Sequence, residues 1–147
     1  MRKTVLFIGI ITLFAFVAFA AGCGSAGSGG SNAAAGKTIM SGPAGNNLTA
    51  TISNADGTLR KGSQEFTLTF ADVSGKPVDV GSVALNNHMG AMGSMAPMNH
   101  AATFTTTGTP GVYRGKLDID ATGEWQAQIT YEGGAGNGSF MLPIVAK

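Results

Sequence analysis

The sequence predicts an all-β protein, because apolar and polar residues alternate with a period of two in most of the chain after residue 47. Clusters of Gly, Pro, Asn and Asp separate the alternating runs, as turns separate strands. Outside the N-terminal apolar segment, no stretch has apolar residues at the spacing of an amphipathic helix. About seven short strands in roughly 100 residues are typical of an immunoglobulin-like β-sandwich. A small barrel is the competing architecture.

Four runs carry the clearest alternation. Their apolar members are Leu48, Ala50 and Ile52; Phe66, Leu68 and Phe70; Tyr113, Leu117 and Ile119; and Trp125, Ala127, Ile129 and Tyr131. Polar residues, many of them Thr, Gln, Lys or Asp, occupy the positions between them. Such alternation predicts strands with one buried and one solvent-facing side. Trp125 and Tyr113 are therefore expected to be aromatic residues of the core.

Three further stretches predict shorter or less regular strands. The parity of the apolar positions reverses at residues 81–82, which indicates a bulge or a kink between two short strands. Additional strands are expected over residues 102–106 and 139–146. Because Pro143 has no N–H to donate, the last of these strands should lie at a sheet edge.

The N-terminus predicts a secreted protein with a lipid anchor. Residues 1–22 combine a basic start, an apolar run at the short limit for a spanning helix and a small-residue end, which is the order of a signal peptide. The only cysteine, Cys23, follows Ala-Ala-Gly, and this resembles the lipobox of bacterial lipoproteins. There the cysteine carries acyl chains such as palmitate, which would anchor the protein to a membrane. An ordinary secreted protein or an uncleaved anchor are the alternatives.

The remaining chain divides into a linker and one domain. Residues 23–46 are rich in Gly, Ser and Ala, which predicts a flexible tether. Residues 47–147 form the predicted β domain, which would face the periplasm or the cell exterior. The net charge is only +1 and no basic stripe is present, so nucleic acid is not an expected partner.

No motif indicates catalysis. The two histidines have no nucleophilic Ser or Cys motif beside them, so an enzyme is not expected. The stretch from Asp118 to Gly123 imitates the start of a calcium loop. However, Ile129 stands where such a loop needs a bidentate Glu, which argues against calcium.

The most unusual stretch is NHMGAMGSMAPMNH, residues 87–100, which contains both histidines and four of the seven methionines. Gly90, Gly93 and Pro97 argue against a helix, so a loop between two strands is expected. Thioethers are soft ligands that suit Cu(I), and imidazoles suit copper in either oxidation state. Zinc fits less well, because it prefers thiolate, imidazole and carboxylate ligands. The sequence therefore indicates a copper site whose candidate ligands are His88, Met89, Met92, Met95, Met98 and His100.

Two other roles of this Met/His segment stay open at the level of sequence. Methionine fills irregular gaps in cores, so the segment would also serve as a packed lid over one end of the sandwich. Flexible methionine-rich surfaces also adapt to partner proteins. In that case the protein would be a non-catalytic interaction module that docks an envelope complex without metal.

Three short motifs around this segment resemble the YtkA-like and FixH-like domains. They are Gly75-Lys76-Pro77-Val78, Pro110-Gly111-Val112-Tyr113 and Gly123-Glu124-Trp125, with the Met-rich stretch between the first and the second. The resemblance covers about Leu59 to Val145. It implies an immunoglobulin-like sandwich in the bacterial cell envelope, on lipoproteins and beside metal-efflux or oxidase-assembly proteins. It brings no agreed catalytic residues. FixH-like members have a membrane helix where this chain has the lipobox.

Overall fold

Nine strands form two antiparallel sheets in the computed structural model, which describes residues 36–147. The strands are β1 (Lys37–Gly45), β2 (Leu48–Asn54), β3 (Gly62–Ala71), β4 (Ser82–Met89), β5 (Met98–Ala101), β6 (Thr103–Thr106), β7 (Val112–Ile119), β8 (Gly123–Gly133) and β9 (Gly136–Ala146). One sheet has the order β1-β2-β3-β7-β6 and the other the order β5-β4-β8-β9. Apart from β1, this is the strand order of an immunoglobulin sandwich. The predicted fold class is confirmed.

The core lies between the two sheets and is built from the inward positions of the alternating strands. Its largest fully buried side chains include Trp125, Phe70 and Leu68. Phe70 makes edge-to-face contacts with Tyr113 and Tyr131, at ring-centroid distances of 6.1 and 5.3 Å. Trp125 and Tyr113 are 1% and 4% exposed, which confirms both as core aromatics.

The chain changes sheets at residues 77–81, where the sequence predicts a kink. The N–H of Val78 still donates to the carbonyl of Phe70 in β3 (2.9 Å), whereas β4 of the other sheet begins at Ser82. Gly81, between them, has a φ of 78°. This conformation favours glycine, and it turns the chain from one sheet to the other.

A buried tyrosine fastens this crossover. The hydroxyl of Tyr113 donates to Asp79 Oδ1 (2.9 Å) and accepts the N–H of Val80 (3.2 Å). The N–H of Gly81 also donates to Asp79 Oδ1 (2.9 Å). The Gly81 N–H and then the Tyr113 hydroxyl hold the pKa of Asp79 below its usual value. Burial, followed by the bond to Asp79, raises the pKa of Tyr113 to about 12.

The strand β1 corrects one expectation. The linker predicted for residues 23–46 is wrong over residues 37–45, which pair with β2. Ala44 is 2% exposed, and Ile39 and Met40 pack against the core. The signal peptide, Cys23 and residues 24–35 of the predicted linker lie outside the described residues.

The edge position that Pro143 predicts for the last strand is confirmed. β9 is an edge strand and contains Pro143, which is paired in register with Gln126 of β8. The predicted strand over residues 102–106 corresponds to β6. Within the described part of the chain, no helix is long and apolar enough to cross a membrane.

Candidate metal centre

The Met/His segment is a β-hairpin formed by β4, β5 and the eight residues between them. Met89 pairs in register with Met98. Beyond the strand ends, Met92 and Met95 exchange two backbone hydrogen bonds of 3.2 and 2.9 Å around Gly93 and Ser94. Gly93 has a φ of 56° at the first central position, which is characteristic of a type II′ turn. The spacing of three residues therefore becomes two cross-hairpin methionine pairs, one at the strand ends and one at the tip.

The hairpin divides the six candidate ligands between its two faces and its tip. Met89 is 2% exposed and belongs to the core, whereas Met98 and His100 are half-buried on the same inner side. His88 has the opposite parity and is exposed on the outer face. Met92 and Met95, at the tip, are 47% and 46% exposed. Three of the six candidates thus share the inner face: Met89, Met98 and His100.

One tip methionine turns back towards this inner group. A Cβ placed on Gly123, at the start of β8, would lie 3.2 Å from the terminal methyl of Met89 and 3.7 Å from that of Met92. The two thioether side chains therefore meet over the same glycine. Gly123 leaves the room for this approach, because any side chain there would contact both methyl groups.

His100 is oriented by a carboxylate. Its Nε2 lies 3.2 Å from Asp120 Oδ2 in the turn between β7 and β8. An ionised carboxylate only accepts hydrogen bonds, so in the neutral tautomer that this contact favours, Nε2 donates to Asp120 and the Nδ1 lone pair is left for a metal ion. Histidines that bind metals commonly donate their other N–H to a carboxylate in this way.

The only tryptophan of the chain lies beside this histidine. The rings of His100 and Trp125 meet edge to face with centroids 5.6 Å apart. The indole N–H of Trp125 donates to the carbonyl of Ala121 (3.1 Å) in the same turn that holds Asp120. The turn between β7 and β8 therefore contacts both the His100 ring and the Trp125 ring.

His88 belongs to a different surface. Its Nδ1 lies 2.8 Å from Oδ1 of Asn99, its register partner in β5. A groove of about 540 Å³ opens beside it, lined in part by Met92, Trp125 and Val145. The groove joins the outer face of the second sheet to the hairpin tip. His88 is therefore close to Met92 along the groove but lies on the opposite face from His100.

The inner face also contains a polar side chain that is not among the six candidate ligands. Asn87 is fully buried, and neither its Nδ2 nor its Oδ1 has a hydrogen-bond partner in the structure. It pairs in register with His100 on one side and with Ala127 on the other. The parity of Val83 and Leu85 would have indicated its inward direction.

Among the described residues, no three His, Cys, Asp or Glu side chains are grouped so that they could hold a metal ion without methionine. The donor groups on the inner face of the hairpin are two thioethers, one imidazole and one amide. The thioethers are soft donors, and thioether and imidazole together suit copper.

Fold and site together define an immunoglobulin-like β-sandwich domain with a Met/His hairpin at one end. A family model described as YtkA-like matches residues 44–130, which is more than half of the chain. The chain therefore belongs to the YtkA-like family, as the three short motifs indicated. No curated protein matches it.

Proposed function

We propose that this YtkA-like protein binds copper as Cu(I) and passes it on in the cell envelope, with Met89, Met98 and His100 as its main ligands. The observation that carries the proposal is the register of the β4–β5 hairpin. It sets the two methionines opposite each other and places His100 one inward position further along the same face. Two thioethers and one imidazole satisfy the low coordination number and the softness of Cu(I).

The charge of the ion is also accommodated. A cation at a largely buried site is costly unless a negative group compensates it. Asp120 supplies such a group, because its carboxylate contacts the ligand His100 at 3.2 Å. The carboxylate is largely exposed, so its desolvation is small while its charge remains next to the ligand ring.

The exposed candidates have a separate role in this proposal. His88 and Met92 line the groove that also reaches Met89, and the Met92 methyl shares the Gly123 contact with Met89. Met95 is exposed at the tip beside Met92. They would capture Cu(I) at the surface and hand it inwards by exchange of one thioether for another. Such a carrier needs no catalytic residue.

The test is a Cu(I) titration of the full chain in detergent, without oxygen and against a competing chelator. Cys23 is replaced by serine throughout, since a free thiol would bind Cu(I) by itself. Trp125, the only tryptophan, reports binding through quenching of its fluorescence. The variant replaces all four hairpin methionines by leucine, which keeps their approximate volume and removes sulfur.

We expect the four-leucine variant to remain folded and to lose Cu(I) binding and quenching. The matched control is Met141→Leu, because Met141 is 63% exposed on β9 and lies outside the hairpin. It should bind as the parent does. Equal affinity of the parent and the four-leucine variant would refute methionine ligation.

We also propose that the protein is anchored to a membrane through a lipid on Cys23. The support is the order of residues around it, with a basic start, an apolar run and Ala-Ala-Gly before the cysteine. Cells given an alkyne-labelled palmitate should label the full chain but not the Cys23→Ser variant. Equal labelling of both would show that the lipid is elsewhere, and no labelling would show that it is absent.

The second candidate function is a metal-free interaction module of an envelope complex, such as one for metal efflux or oxidase assembly. The exposure of Met92 and Met95 at the hairpin tip favours it, since large exposed apolar side chains suit a docking surface. A photo-crosslinking residue at position 95 should then trap one partner in intact cells. The same residue at Val73, which is 87% exposed, is the control.

A further inference from the structure

Asn87 is a fully buried residue of β4 with an amide side chain. Its side chain is 0% exposed, and both of its polar atoms lack a hydrogen-bond partner in the structure. Leaving such a group unpaired in a core destabilises the fold, whereas an apolar residue of the same shape would not. The chain nevertheless places asparagine there, within a strand whose other inward residues are apolar.

The position of this amide is inside the proposed copper site. On the inner face of the hairpin, Asn87 pairs with His100 in one cross-strand row, and Met89 pairs with Met98 in the next. Directly opposite side chains of an antiparallel pair are close enough to touch, and a diagonal neighbour is within reach of a long side chain such as that of methionine. The four residues therefore form a two-by-two block of two sulfur, one nitrogen and one amide-oxygen donor.

The chemistry of the amide differs from that of its three neighbours. Thioethers favour Cu(I), whereas Cu(II) takes nitrogen and oxygen ligands in a more extended coordination geometry. An amide oxygen also occurs as a weak fourth ligand in protein copper sites. Because Asn87 Oδ1 has no other partner, it is free to act as this ligand.

We propose that Asn87 Oδ1 is the fourth donor of the site, an oxygen ligand that lets the protein hold Cu(II) as well as Cu(I). The inference rests on the proposed copper function and adds the ligand class that the methionines do not supply. It also accounts for a buried polar group that has no hydrogen-bond partner.

The test compares Asn87→Leu with Asn86→Leu in the full Cys23→Ser chain in detergent. Leucine has the same branching as asparagine but no polar atom. Asn86 is the adjacent residue of β4 and is exposed on the outer face, so it controls for the substitution itself. Three quantities are measured for each variant: the affinity for Cu(II), the affinity for Cu(I) without oxygen, and the urea midpoint of the metal-free protein.

We expect Asn87→Leu to weaken Cu(II) binding by about tenfold or more, the scale of losing one supporting group of a metal site. Cu(I) binding should change less, because both thioethers and the imidazole remain. The urea midpoint of the metal-free protein should rise, since an unpaired amide has been removed. Asn86→Leu should change none of the three quantities.

A second variant protects the test against a folding defect. Asn87→Asp keeps an oxygen donor at the same place and should retain Cu(II) binding. Loss of Cu(II) binding in this variant, or equal Cu(II) affinities of Asn87→Leu and the parent, would overturn the inference while leaving the Cu(I) proposal intact. A lower urea midpoint of Asn87→Leu would overturn it as well, because it would show that the amide has a structural partner. A parent that binds neither ion would refute the proposed function itself.

Discussion

Replacing the inner methionine pair and the tip pair separately tests whether the hairpin has one true binding face. The inner variant is Met89→Leu with Met98→Leu, and the tip variant is Met92→Leu with Met95→Leu. Both remove two sulfurs from the same hairpin, so they are matched in chemistry. They differ in place, because Met89 is 2% exposed whereas Met92 and Met95 are 47% and 46% exposed.

The expected magnitudes follow from that difference. Leucine conserves volume, so each inner substitution should lower the free energy of unfolding by less than about 1.5 kcal/mol. Truncation of Met89 to alanine would instead cost about 2–5 kcal/mol, because it leaves a cavity in the core. The inner variant loses two of three Cu(I) ligands, so its affinity should fall at least 100-fold, or about 2.7 kcal/mol. The tip variant should lose less than about tenfold, since its residues only assist capture.

The assay is chelator competition for Cu(I) combined with urea unfolding of the metal-free proteins, in the Cys23→Ser chain. Urea unfolding separates a lost ligand from a damaged fold. A tip variant that loses more affinity than the inner variant would refute the assignment of the inner face. An inner variant with unchanged affinity would refute it too.

Four further predictions concern the sandwich itself. Tyr113→Phe removes the buried hydroxyl that contacts Asp79 and the Val80 N–H. The free energy of unfolding in urea should therefore fall by about 1–3 kcal/mol. An unchanged free energy of unfolding would exclude a stabilising role of these hydrogen bonds. Folding lowers the pKa of Asp79, so its ionised carboxylate stabilises the fold above the unfolded pKa of 3.8, and this stabilisation is lost as the pH falls through the folded pKa. The decrease of the urea midpoint at acid pH should therefore be smaller in Asp79→Asn than in the parent. Folding raises the pKa of Tyr113 from 10.0 to about 12, so the free energy of unfolding should decline between pH 10 and pH 12, where the hydroxyl ionises in the unfolded chain first. An identical decline in Tyr113→Phe would contradict this assignment. Gly111→Ala should lower the thermal midpoint strongly, because Gly111 has a φ of 75° and a Cβ there would lie 2.7 Å from both the N and the C atom of the Val78 backbone. An unchanged midpoint would mean that the crossover shifts to accommodate the methyl group.

The sequence predicts most of the sandwich because alternation follows directly from burial on one side of a strand. It does so best where the inward residues are large, as in β3, β7 and β8. It fails at β1, where the register with β2 shifts between Thr38 and Met40 and again between Pro43 and Gly45. These irregularities break the period, and the small inward residue Ala44 gives little apolar contrast. β5 is missed for a similar reason, since its four residues follow the Gly- and Pro-containing turn.

The candidate site was likewise only partly predictable from the sequence. Residue types alone identify the methionines and histidines as soft donors, but not the face on which each lies. That division depends on the two-residue turn at Gly93 and Ser94, which sets Met89 against Met98 and sends His88 to the outer face. The contact between His100 and Asp120 was not predictable at all, because it joins strand β5 of one sheet to the turn that follows β7 of the other. Asn87 was within reach of the parity argument, yet a polar residue gives no signal of burial.

X-ray absorption at the copper edge, on the Cu(I)-loaded Cys23→Ser chain, tests the central proposal most directly because it identifies the atoms bound to the metal. The proposed site predicts two sulfur neighbours and one imidazole nitrogen. It also predicts that the sulfur contribution disappears in the Met89→Leu, Met98→Leu variant. A first shell of nitrogen and oxygen alone in the parent protein would contradict the proposal.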